Sequence, residues 1–107
     1  MTGVIVTVQV KEGMDEQFKA DMVKMGKLVA EKEPGYRFGD LYATNYPGKY
    51  YFLEVYEDQA ALKAHEKLSH TAEFTELKKS WEENIEVHKI YPVSSSGPDE
   101  RRIPGKD

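Results

Sequence analysis

The chain contains no cysteine, which excludes disulfides, cysteine-rich zinc sites and a thiol nucleophile together. Positive charge is not in excess either: the formal net charge is -4. That balance gives no reason to expect nucleic acid or an anionic membrane surface as a partner. No apolar run is long enough to span a bilayer. The opening MTGVIVTVQV lacks the basic leader and cleavage-like end of a signal peptide, so a cytoplasmic protein is expected. A glycine-rich phosphate loop, a serine nucleophile elbow and a dinucleotide fingerprint are also missing. What remains is one domain of 107 residues, 32% charged and 39% hydrophobic, an ordinary soluble balance.

Aromatic residues are the plentiful class. Seven Tyr, four Phe and one Trp are many for this length, and they crowd into residues 36–56. Such a density fills a core, coats an interface or lines a pocket for a flat ligand.

The hydrophobic pattern gives the elements. Val4, Val6, Val8 and Val10 alternate with Ile5, Thr7 and Gln9, the signature of a strand with one apolar face. A helix follows from about Met14 to Glu33, its apolar stripe running through Phe18, Met22, Met25 and Val29 and its end set by Pro34-Gly35. YRFGDLYATNY and KYYFLEVYE read as two strands joined across Pro47-Gly48. Two short helices are expected next, Asp58 to Lys67 and, capped by Ser69, His70 to Glu83, before a final strand IEVHKIY. The order β-α-β-β-α-β, with the second helix broken, predicts an α+β ferredoxin-like antiparallel sheet with helices on one face. Its other face, carrying Ile5, Thr7, Tyr51, Leu53 and Val55, would stay uncovered in a monomer, so a homodimer is expected. The domain is drawn as residues 1–93, and 94–107, rich in Ser, Gly, Pro and charge, as a flexible tail.

His65 and His70 stand five apart, whereas a zinc-binding pair on one helix stands four apart. The chain breaks near Ser69, however, so each imidazole lies on the apolar stripe of its own helix, with Leu62 in one case and Phe74, Leu77 and Trp81 in the other. The two can converge under the sheet. Glu54 shares a strand face with Tyr50, Phe52 and Tyr56, and a carboxylate in an aromatic row needs a partner. His65 or His70 would serve. The plain alternative is that each histidine is a packed residue with one satisfied nitrogen and that Glu54 is half-solvated. His88 reads as structural, and Trp81 suits the core. Two imidazoles and a carboxylate can bind iron or zinc, but the spacing does not demand a metal and none is expected.

The stretch FLEVYEDQAALKAHEKLSHTAEF resembles the signature of the antibiotic biosynthesis monooxygenase family, through Glu54, Tyr56, Asp58, Leu62, His65, His70 and Phe74. The opening VTVQVKEGMDEQF is similar to that family's first strand, Gly turn and acidic helix start, and the likeness covers about residues 3–92. The resemblance implies a dimeric α/β barrel. It further implies one of several activities: oxidation of quinols or polycyclic phenols by O2 without metal, flavin or haem, haem degradation, processing of a phosphorylated sugar, or none known. The haem-degrading pattern is not met. The first strand has no Asn, His65 stands where a Trp is expected, and no His follows Phe74 on the second helix. The expectation is therefore a cofactor-independent monooxygenase acting on a small aromatic substrate and O2. His65 would be the base, Glu54 its orienting group, and His70 and Tyr56 donors to oxygen. Phe52, Tyr56, Phe74 and Trp81 would contact the substrate. A non-catalytic ligand binder of the same fold is the competing reading, as is a sugar-phosphate isomerase using Arg37 or Lys89.

Overall fold

The computed structural model describes residues 1–94, 96 and 97, except for the side chains of residues 69–71. Most of the expected tail, and the side chain of His70, therefore lie outside the described residues. The elements are β1 (Thr2–Val10), α1 (Asp15–Lys32), β2 (Tyr36–Ala43), β3 (Lys49–Tyr56), α2 (Gln59–Glu66), α3 (Ser69–Leu77), a 3₁₀ turn (Lys78–Ser80) and β4 (Glu82–Ile90). The strands form one antiparallel sheet in the order β2-β3-β1-β4. This is the α+β ferredoxin-like arrangement expected from the sequence. No helix among the described residues is long and apolar enough to cross a membrane.

Strand alternation divides the sheet. Val4, Val6 and Val8 of β1 pair with Glu54, Phe52 and Tyr50 of β3, so these residues share the face that the helices cover. On that face Val8, Val10, Phe18, Met22, Tyr50 and Trp81 form one buried cluster, and Val4, Tyr56 and Leu62 form a second. Ile5, Thr7, Tyr51 and Leu53 have the opposite parity and stay half-exposed, whereas Val55, expected among them, is buried.

The second long helix departs from the expected span. Residues 70–83 do not form one helix: α3 ends at Leu77, and its N-cap position is Leu68 rather than Ser69. Trp81 follows the 3₁₀ turn and leaves the helical path. Its indole is fully buried, edge-on to Phe18 at 4.7 Å between centroids, and Nε1 donates to Asp21 Oδ2 at 2.9 Å. Gln17 donates to the other Asp21 oxygen at 2.9 Å, so this buried carboxylate is satisfied on both sides. Tyr50 likewise donates to Asp15 at 2.6 Å, tying β3 to the first turn of α1.

Candidate active site

Between the sheet and the helices lies a cavity of about 320 Å³, within the size range of small-molecule sites. Val4, Val6, Val8 and Phe52 form its floor, Met22, Met25 and Val29 of α1 one wall, and Leu62 and Phe74 part of the roof. The polar groups are few: Tyr36, Glu54, His65, Glu66 and Lys78.

Each polar group at the Val4 end has an identifiable cause for its position. Asp58 caps α2 by accepting from the Ala61 backbone N–H at 2.9 Å, and Leu62, the one buried residue of that helix, fixes its rotation. His65 lies three residues on, hence on the same face. A β-carbon at Gly35 would collide with the Ala61 methyl, so glycine there lets α2 settle against the turn after α1. Glu33, the C-cap residue of α1, thereby reaches His65: its carboxylate lies 2.8 and 3.0 Å from Nδ1. Both side chains are largely buried, with 5% and 15% exposed.

His65 and Glu54 meet at ion-pair distance, not through a hydrogen bond. Glu54 Oε2 stands 4.0 Å from His65 Nε2, beyond hydrogen-bond range, and Glu33 occupies the place assigned to it. Glu54 instead accepts from the Tyr56 hydroxyl at 3.0 Å. Burial holds the Glu54 carboxyl above its ordinary pKa, and the Glu33 charge adds to this, while His65 and the Tyr56 hydrogen bond act against it. Glu54 thus keeps its proton to higher pH than an exposed glutamate.

The two tyrosines differ in access. Tyr56 is fully buried, does not line the cavity, and has its phenol pushed far upward by burial and by Glu54. Tyr36 does line the cavity. Its pKa is pushed up to about 12 by burial and by Glu54, Asp40 and Glu33, so it remains a donor at neutral pH. Its hydroxyl lies over Gly39, where a β-carbon would collide with it.

Of the residues singled out from the sequence, the cavity therefore brings together Glu54, His65, Phe52, Phe74 and Trp81. Tyr56 acts on Glu54 from behind. The side chain of His70 lies outside the described residues, so the convergence of the two imidazoles does too. Glu33 and Tyr36 escaped sequence reasoning. Glu33 reads as the end of a helix, and Tyr36 gains the helix-facing side only through the register shift between Tyr36 and Phe38. Neither Arg37 nor Lys89 lines the cavity. Among the described residues no group of three or more Asp, Glu or His is arranged to hold a metal ion.

Chemically, the Glu33–His65 pair is a carboxylate–imidazole couple. A proton held on Nδ1 by the carboxylate makes Nε2 the basic nitrogen of the neutral ring, and the same carboxylate stabilises the imidazolium once formed. That nitrogen faces the Glu54 side of an apolar, aromatic-walled space.

The family model for antibiotic biosynthesis monooxygenases matches residues 1–77. The chain belongs to that family. Solved structures with the same fold include proteins whose names describe them as candidate antibiotic biosynthesis monooxygenases. One from Caulobacter crescentus is 21% identical, with 87% of this chain and 90% of that one covered and a TM-score of 0.80. Another, from Nitrosomonas europaea, is 21% identical over 88% and 100% of the two chains, with a TM-score of 0.78. A third, from Deinococcus radiodurans, is only 12% identical over 92% and 98%, yet its TM-score is 0.80. No curated protein matches the sequence. Membership supports a monooxygenase-like function in general terms, and the cavity combines apolar walls with the Glu33–His65 pair.

Proposed function

We propose that the protein is a monooxygenase that oxidises a quinol or phenolic aromatic with O2 and no bound cofactor. One observation carries this reading: a buried carboxylate–imidazole pair, Glu33–His65, opens onto a largely apolar cavity lined by Phe52, Phe74 and Trp81. His65 Nε2 takes the phenolic proton, and the resulting electron-rich anion donates an electron to O2 directly. The aryloxyl radical and superoxide then combine into a ring peroxide anion, which takes the proton back from the His65 imidazolium to become a hydroperoxide. Loss of water from it leaves a carbonyl, so one oxygen atom enters the product and the other leaves as water. Tyr36, and Glu54 while it is protonated, supply hydrogen bonds to the reduced oxygen. The same reading includes a homodimer in which a second copy covers the face bearing Ile5, Thr7, Tyr51 and Leu53.

A panel of hydroquinones and naphthols, incubated with the protein under O2 and under nitrogen, tests the proposal. Expected are quinone formation and O2 consumption in equal amounts, and neither under nitrogen. His65→Ala is expected to lower turnover by about 10²–10⁴-fold, as for loss of a positioned base, with its circular dichroism spectrum retained. Glu33→Gln should lower it less, because the amide oxygen still accepts the Nδ1 proton. Binding of panel members without any turnover would replace the monooxygenase by a non-catalytic ligand binder.

A further inference from the structure

The charges around the cavity are segregated. Glu54 and His65 line it beside Val4, and Glu33 stands behind His65. Exposed Glu66, next in the chain to His65, also borders this end. Lys78 also lines the cavity, with its backbone toward the opposite end. It begins the 3₁₀ turn whose Lys78 carbonyl accepts from the Trp81 backbone N–H at 3.2 Å, and Trp81 packs in the cluster of Val8 and Val10. Val4 and Val8 are four residues apart on β1, roughly 13 Å at strand spacing. The floor and walls between them are apolar.

Lys78 is half-buried, and no carboxylate pairs with it among the described residues. Its neighbours are engaged: Lys79 contacts Glu76 at 3.0 Å and Lys24 contacts Glu73 at 3.5 Å. A partly dehydrated ammonium bordering an apolar cavity gains from a charged acceptor brought in by a ligand. Glu33 and exposed Glu66, at the other end, disfavour a carboxylate there.

We propose that the substrate carries an anionic group, a carboxylate in chemical class, at the end of its aromatic skeleton remote from the hydroxyl that is oxidised, and that Lys78 binds it. The inference rests on reading the cavity as the substrate site. It sets the orientation of the substrate, with the phenol at His65 and the anion at Lys78, and it requires a skeleton longer than one ring. A sugar phosphate would bring the anion without the apolar body that the walls are built to cover.

Calorimetric titration under nitrogen, where turnover plays no part, tests binding separately from chemistry. The probes are a hydroxynaphthoate with hydroxyl and carboxylate at opposite ends of its long axis, the naphthol lacking the carboxylate, and ribose phosphate. The wild-type chain is expected to prefer the hydroxynaphthoate by about 10-fold or more, the range for a hydrogen bond to a charged group. Lys78→Met, which keeps the apolar stem, should abolish the preference and leave naphthol affinity unchanged, and ribose phosphate should not bind. A preference that survives in Lys78→Met, equal wild-type affinities, binding of ribose phosphate, or no binding of either naphthalene would overturn the proposal. A lack of turnover in the O2 experiment would leave it standing for a binding protein.

Discussion

Two carboxylates flank one imidazole here, and their surroundings give them different tasks. Glu33 bonds Nδ1 directly, whereas Glu54, buried among aromatics and touched by Tyr56, is held above the ordinary carboxylate pKa. A raised folded-state pKa means that the folded chain binds more protons than the unfolded one in the window above the usual glutamate range. Stability attributable to Glu54 is therefore full below that range and falls as pH rises through the elevated value. Glu54→Gln removes the ionisation but keeps an acceptor for Tyr56. The melting temperature of Glu54→Gln minus that of the wild type should accordingly grow from acidic to neutral pH in calorimetric scans, and a constant difference would show that Glu54 ionises normally. The sequence exposed Glu54 and His65 through simple periodicity, since alternation and three-residue steps decide which face a side chain takes. It could not expose Glu33, because a helix C-cap and a histidine thirty-two positions later meet only through the packing of α2 on the following turn.

At the scale of elements, that packing depends on one missing β-carbon. Gly35→Ala would force Ala61, and with it α2, away from the turn. The expected result is a loss of about 1–3 kcal/mol, as for overpacking, with a larger proportional loss of turnover because His65 moves from Glu33. Adding Ala61→Gly should restore turnover, although glycine in α2 itself costs about 1 kcal/mol; failure of the double variant to recover activity would refute the steric account. Most elements were legible in outline. The end of α3 was not, because His70, Phe74, Leu77 and Trp81 continue a helical stripe in the sequence. The burial of the indole against Phe18, with its N–H on Asp21, outweighs that local pattern. A contact sixty positions away leaves no trace in a periodicity.

For the molecule as a whole, the half-exposed sheet face is the feature that a monomer explains least well. Tyr42, 52% exposed, adds to it from β2. Light scattering at micromolar concentration should give twice the chain mass of 12.3 kDa, and a stable monomer would rule out the proposed pairing. The elements around the cavity are also unequally anchored. β1 is bonded to a strand on each side, while α2 buries only Leu62. His65 is therefore carried by a weakly held segment, and Glu33 and Glu54 by firmer ones. Amide exchange would follow that gradient, with β1 opening only on global unfolding and α2 by local fluctuation. Each such fluctuation parts His65 from Glu33 while the sheet persists, so on warming the proposed chemistry is switched off in a molecule that is still largely folded.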